Sequence, residues 1–341
     1  MPMNEKNYQA FVGFDGFVDR LARVVLERKG NQVIPFPTIT SFANRLIEAA
    51  GISADLELEV QESKAGGNGP ILAHALSLLG GKAHCLGNVG AGALHPVFRE
   101  WGEKVDFLLL GEPCDALALE FEDGKIMLPD LKPLDGLDWA KVKQSCGDEC
   151  LKRLAKECAL FAMVNWSLLP HAGEIWQGFR DEYLKEGAKE RKVEIFFDLA
   201  DPSKHPREKL LECLSLIASF KEIGRVTLGV NENEARRLSA ALGCGDTSYE
   251  AMGDCLYQSG CAHVILIHPR HGCQVADAGG NRFLQGKLAE NPVCSTGGGD
   301  VFNAGFCHGL QKGLSVEEAA RLAMRCSYLW VTGESPEKAI Q

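Results

Sequence analysis

Six short apolar runs recur along this chain, each leading toward a helix-like segment, and this alternation restricts the fold more than any other feature. The runs span residues 8–16, 83–89, 160–166, 193–198, 226–230 and 263–267. Their near-continuous apolar character is that of strands covered by helices on both faces. Apolar strands alternating with helical periodicity read as a parallel, doubly wound sheet. Such sheets place ligands at the carboxyl ends of their strands. The residues that follow each run are therefore the first candidates for chemistry.

The first run ends in Asp15-Gly16-Phe17-Val18-Asp19. Two carboxylates at a strand exit read either as substrate ligands or as aspartates bonding their own turn. Run 193–198 ends in Asp198, with Lys204 and Arg207 beyond it as loosely placed basic candidates. Run 226–230 leads into Asn231-Glu232-Asn233-Glu234 and a helix. That spacing suits an Asn cap with a first-turn Glu. Run 263–267 leads into His268-Pro269-Arg270-His271-Gly272. Arg270 reads either as a phosphate ligand or as a simply exposed charge. The two histidines lack a neighbouring carboxylate and do not make a metal site.

Two segments are glycine-rich. Ala65-Gly66-Gly67-Asn68-Gly69-Pro70 precedes a helix-like stretch, 71–79, that Gly80-Gly81 stops. Backbone amides at such a helix start can face a substrate oxygen, and Asn68 can bond a hydroxyl. The second segment is Cys294-Ser-Thr-Gly-Gly-Gly-Asp-Val-Phe-Asn-Ala-Gly305, which opens another amphipathic helix. Glycines let backbone N–H groups approach an anion closely, and a helix N-terminus adds about half a positive charge. Asp300 can cap that helix or take a proton from an attacking hydroxyl beside the anion. The segment lacks the Gly-Lys-Ser/Thr ending of a P-loop. It also lies outside the early strand–turn–helix context of a dinucleotide fingerprint.

A different set of strands is amphipathic. Residues 24–28 and 32–36 flank Lys29-Gly30-Asn31, residues 56–61 alternate strictly, and 116–121 and 125–128 flank Glu122-Asp123-Gly124. The alternation and the turn residues predict hairpins with one wet face, a second and smaller sheet.

Thr296 to Gly305 resembles the C-terminal signature of the ribokinase-like carbohydrate kinases (the PfkB family), roughly Asp-Thr-x-Gly-Ala-Gly-Asp-x-Phe-x-x-Gly. Ser295-Thr296 stands where Asp-Thr is usual, and Gly298 where Ala is usual. The Gly66–Gly80 segment is similar to the family's N-terminal signature, and Asn231 with Glu234 to its Asn-x-x-Glu motif. The resemblance implies an α/β fold: a ribokinase-like three-layer α/β/α sandwich in a single domain over 1–341, with a mostly parallel central sheet and a small β-sheet lid. The lid strands are expected within 21–37, 56–64 and 105–128.

The same resemblance implies ATP- and Mg2+-dependent phosphorylation of a hydroxyl on a small sugar or sugar-like substrate. Asp300 would be the base, with Gly297, Gly298 and Gly299 as the anion hole. Asp19, more weakly Asp15, and Gly66, Gly67 and Asn68 would bind the substrate. Asn231 and Glu234 would organise water and Mg2+ around the phosphates, and His268, Arg270, Gly272 and Thr296 would lie along the nucleotide. Two departures bear on the acceptor: Ile71 stands where the family often has Asn, and Ala91 where an Asp usually follows Val-Gly. A nucleoside or vitamin kinase of the same fold, and a non-catalytic ligand-binding member, are the alternatives. A monovalent cation and a homodimer through the lid are left open.

Composition narrows the partners. With 36 Lys and Arg against 46 Asp and Glu, the formal net charge is −10, which argues against nucleic acid and anionic membranes. The 13 cysteines are an odd number without Cys-x-x-Cys spacing, the usage of reduced, mostly buried thiols. Residues 1–10 are polar, and no apolar run approaches a membrane span of about 20 residues. These features lead to the expectation of a cytoplasmic protein.

Overall fold

The computed structural model describes residues 8–290, 292–293 and 296–341. Cys294 and Ser295, the first two residues of the second glycine-rich segment, lie outside the described residues.

Seven strands run parallel in the spatial order Val105–Leu109, Lys82–Gly87, Gln9–Phe14, Leu160–Met163, Glu194–Asp198, Arg225–Val230, Val264–Ile267. The hairpin Gly272–Asp277 and Gly280–Gln285 extends the sheet antiparallel at one edge. The period of two divides side chains between two cores. Phe11, Phe161 and Phe197 enter one, while Val12, Ala162 and Phe196 enter the other. Each buried side chain of this size stabilises by roughly 2 kcal/mol. Helices Asn68–Leu78, Gly298–Gln311 and Val316–Val331 cover the second face. The helices between Trp139 and Gln258 cover the first.

Local sequence sets several helix starts. Asn231 with Glu234 and Ser315 with Glu318 form reciprocal capping boxes, and Asp138 caps the helix Trp139–Cys146. Each satisfies N–H groups that a helix start leaves without partners.

The strand Gln9–Phe14 passes through Asp15 and Gly16 into Phe17–Lys29, the central strand of the second sheet. Gly16 is required at this passage, since a Cβ there would lie 2.1 Å from the Asn88 carbonyl oxygen. Phe17–Lys29 pairs with Leu58–Gly66 and Gln32–Pro35, both antiparallel, and with Cys114–Phe121 in parallel. Gly124–Pro129 completes the sheet beside Cys114–Phe121. Lys29 faces Gln32 across a two-residue turn in which Gly30 has φ +62°, the left-handed conformation expected of a Gly-Asn hairpin. Ala22, Val24, Phe36, Phe42 and Leu119 form a small core of their own, to which the helix Ile39–Glu48 contributes Phe42.

One boundary differs from the sequence expectation. Within 105–128, Val105–Leu109 pairs with Lys82–Gly87 at the edge of the main sheet, and the small sheet begins only at Cys114. An edge strand keeps exposed positions such as Asp106. Its partial burial therefore resembles the strands of the small sheet more than the buried strands beside it.

Candidate active site

Two helix N-termini meet at the carboxyl ends of the central strands, and they are finished differently. The helix Asn68–Leu78 follows Gly67, which has φ +99° and no side chain to cap with. Asp15 caps it from the neighbouring strand. One carboxylate oxygen accepts from Asn68 N–H at 2.8 Å and the other from Gly69 N–H at 2.7 Å. Asn165, at the exit of the strand Leu160–Met163, donates to Asp15 as well, at 2.7 Å. Asp15 is fully buried, so its carboxylate serves this junction and is not open to a substrate.

The helix Gly298–Gln311 begins at Gly297, left-handed at φ +81°, with no side-chain cap. The first bond inside it runs from Val301 N–H to the Gly297 carbonyl at 2.9 Å. The N–H groups of Gly298, Gly299 and Asp300 thus have no acceptor within the helix. An uncapped N-terminus of this kind attracts an anion. Asp300 lies in the same turn, is buried, and accepts from the Asn68 side-chain amide at 2.8 Å.

Burial pushes the Asp300 carboxyl well above the usual carboxylate range, and the charge of Asp198 pushes it further; the Asn68 bond opposes the rise. Asp198, which ends the strand Glu194–Asp198, accepts from Asn303 Nδ2 at 2.7 Å and from Ala200 N–H at 2.8 Å. Glu234 closes the capping box with Asn231. Its carboxylate accepts from Asn231 N–H at 2.9 Å and from Asn231 Nδ2 at 2.6 Å. Burial, and then the Asp198 charge, raise the Glu234 carboxyl. Among the described residues no group of three or more His, Cys, Asp or Glu is arranged to hold a metal ion. The nearby donors are all oxygens of mutually repelling carboxylates, and the buried Asn303 Oδ1 has no partner. That donor set fits Mg2+ reached through water.

Two cavities flank the open helix start. The smaller, about 250 Å3, is walled by His268, Arg270, Gly272, Gly298, Gly299 and Tyr328, among others. His268 stacks on Phe302 with centroids 4.7 Å apart, and desolvation lowers its pKa to about 4, so the ring is a neutral wall. Gly272 must be glycine for packing, since a Cβ there would lie 2.4 Å from the Phe283 ring. The larger cavity, about 1640 Å3, lies under the small sheet and includes Asp19, Ile71, Lys125, Arg270, Thr296 and Trp330. Arg270 borders both cavities. Asp19 is buried, and its pKa rises to about 6 through burial, opposed by the charge of Lys125. A Cβ on Gly66 would fall 2.6 Å from the Asp19 carboxylate, which explains the glycine there. Ile71 lies close to this helix start: a Cβ on Gly297 would come 3.1 Å from it.

Of the remaining basic candidates, Arg207 donates to the Ala241 carbonyl at 2.7 Å. It caps a helix end instead of facing the site. Sequence reasoning missed Lys125, Asn165, Asn303 and Trp330. Trp330 donates to the Thr296 carbonyl at 2.9 Å. Asn303 carried one signal, standing one helical turn after Asp300 and thus on the same face. Lys125 carried none, because its contact with Thr296 crosses 171 residues.

This architecture is the ribokinase-like fold of the PfkB carbohydrate kinases. The chain is similar to adenosine kinase from Sinorhizobium meliloti, with TM-score 0.71 at 16% identity over 97% of this chain and 96% of that one. It is also similar to an E. coli protein provisionally assigned as ribokinase II and solved with ATP and Mg2+, with TM-score 0.63 at 16% identity over 98% and 96%. A family model for prokaryotic ketohexokinase matches residues 1–340, and the chain belongs to that family. Ketohexokinase from Haloferax volcanii is 26% identical over 309 residues, 90% of this chain and 82% of that one. The protein is a sugar kinase, a phosphotransferase with an alcohol group as acceptor.

Proposed function

We propose that the protein transfers the γ-phosphoryl group of ATP to a hydroxyl of a ketohexose, with Asp300 as the general base. The observation that carries this reading is the uncapped helix start at Gly297, which lies between two cavities and holds a buried carboxylate in its first turn. In this reading the nucleotide enters the smaller cavity along His268, Arg270 and Gly272, and the sugar enters the larger one beside Asp19. Gly66, Gly67 and Asn68 shape the sugar side. Burial raises the pKa of Asp300 above the ordinary carboxylate range, which makes it a stronger proton acceptor than an exposed aspartate. As the acceptor oxygen attacks, the free N–H groups at Gly298 and Gly299 stabilise the charge on the phosphoryl group, and Thr296 borders it.

Asn231 and Glu234, with Asp198 behind them, would hold Mg2+ through water, and the ion would screen the phosphate charge. A ketohexose acceptor rests on the family match and on the name of the Haloferax relative. The small sheet serves as the lid that excludes water. Its exposed Leu26, Leu58 and Val60 support a homodimer through that sheet. The twelve described cysteines are all free, which supports a reducing, cytoplasmic setting; no helix among the described residues is long and apolar enough to cross a membrane.

The test is a coupled ADP-release assay with Mg2+, ATP and a panel of ketohexoses, aldoses, ribose and adenosine. Acceptor-dependent release with a ketohexose, and phosphorus NMR of a sugar phosphate, are the expected results. Release with adenosine and with no ketohexose would overturn the reading.

A further inference from the structure

Lys125 belongs to the strand Gly124–Pro129 of the small sheet, yet its ammonium reaches the glycine-rich segment of the main body. Its Nζ donates to Thr296 Oγ1 at 2.8 Å. Glu120, on the neighbouring strand Cys114–Phe121, lies 3.3 Å away and holds the ammonium from behind. Its charge also acts on Asp19, whose carboxyl it lowers against the effect of burial. The Lys125 side chain is 22% exposed, and it borders the larger cavity together with Asp19 and Thr296.

We propose that Lys125 is a catalytic residue carried by the lid, contacting the phosphoryl group in transit between the nucleotide and the acceptor. The proposal rests on the assignment of Gly297–Asp300 as the phosphoryl-transfer segment. The reason is charge. Asp300, Asp198 and Glu234 already repel one another, and Asp19 stands on the acceptor side. A phosphoryl group adds negative charge between them; Mg2+ and Arg270 are assigned to the nucleotide side, and on the acceptor side the helix start offers only about half a positive charge. A full positive charge on the opposite wall offsets that excess when the lid is down and is withdrawn when the lid lifts. The lid is down, with Lys125 on Thr296, without any acceptor, and in this position it completes the site.

The step balances without a further reactant. The acceptor O–H proton passes to Asp300 and a new O–P bond forms. The bond from phosphorus to the ADP oxygen breaks, and its electron pair stays on ADP. Lys125 keeps its three protons throughout.

Lys125→Met, Lys125→Arg and Thr296→Val, with the parent protein, provide the test. Calorimetry with Mg2+ compares the non-hydrolysable ATP analogue AMP-PNP with ADP, and so needs no acceptor. Lys125→Met is expected to weaken AMP-PNP about 10-fold and ADP less than about 2-fold. With the acceptor that the parent uses, its kcat should fall about 100-fold. Lys125→Arg should recover most of both, and Thr296→Val should be milder than Lys125→Met.

Equal weakening of AMP-PNP and ADP would overturn the proposal, as would turnover of Lys125→Met within about 3-fold of the parent. Thr296→Val matching Lys125→Met in kcat would also overturn it, because Lys125 would then be only a latch on that hydroxyl. A parent that phosphorylates no ketohexose would remove the acceptor assignment and leave the AMP-PNP comparison to decide on Lys125.

Discussion

Asn68 bonds two aspartates at once: its side-chain amide donates to Asp300 at 2.8 Å, and its backbone N–H donates to Asp15 at 2.8 Å. The first bond joins residues 232 positions apart. The second keeps the helix start rigid without using the amide, so Asp300 is oriented by a group that is itself held in place. That division of labour makes the consequences of losing the amide specific.

Asn68→Ala removes the donor that favours the charged form of Asp300, and leaves the Asp15 cap in place. The Asp300 pKa, already raised by burial, rises further. In the proposed role Asp300 works deprotonated, so the acid limb of kcat/KM should move to higher pH. The loss of rate should be greatest on the acid side and shrink as pH rises. A pH–rate profile of parent and variant checks this; a uniform loss at every pH would contradict it.

Asp300→Asn keeps an oxygen to accept from Asn68 and removes the carboxylate proposed as the base. Turnover should fall by between about 100- and 10,000-fold. Thermal stability should hold or improve, because a buried carboxylate repelled by Asp198 is gone. Coupled turnover and a melting curve on the same preparation separate a lost base from a lost fold.

Much of this arrangement could be read from the chain before its fold was known, and the limits have physical causes. Asn231 and Glu234 were legible as a pair because a capping box is a local pattern spanning four residues. Asp300 was legible because its glycines and its helix are contiguous with it. Asp15 was legible as a carboxylate at a strand exit but not as a cap, because the N–H groups it satisfies belong to Asn68 and Gly69. Lys125 and Asn165 could not be found from spacing, since each contact is made across separate elements. The range 105–128 took in Val105–Leu109 because an edge strand of the main sheet, like the strands of the small sheet, is only partly buried.

Gly66→Ala tests whether Asp19 is placed for the acceptor. The new methyl would sit 2.6 Å from the Asp19 carboxylate, so that side chain must move. KM for the sugar should rise about 10-fold or more with a smaller change in kcat, the pattern of lost substrate binding. Calorimetric ADP affinity should be unchanged. In the parent, the Asp19 pKa of about 6 implies that the sugar KM rises as pH falls below about 6. A KM independent of pH there would remove Asp19 from the acceptor's ligands.

Glu234→Gln should raise stability while lowering function. Burial and the Asp198 charge lift the folded-state pKa of Glu234 above its ordinary value. The folded protein therefore binds this proton more tightly than the unfolded chain does. The resulting stabilisation is fully present below the ordinary glutamate pKa and is lost as pH rises toward the folded value. Gln cannot ionise, and its single carbonyl keeps one of the two bonds that Glu234 accepts from Asn231. Between about pH 5 and pH 8 the parent's melting temperature should fall with rising pH more steeply than the variant's. At the alkaline end the variant should melt higher by roughly 2 °C. The same change removes a carboxylate assigned to hydrated Mg2+, so the Mg2+ concentration needed for half-maximal turnover should rise about 10-fold. A variant with lowered stability and unchanged Mg2+ dependence would reduce Glu234 to a helix cap.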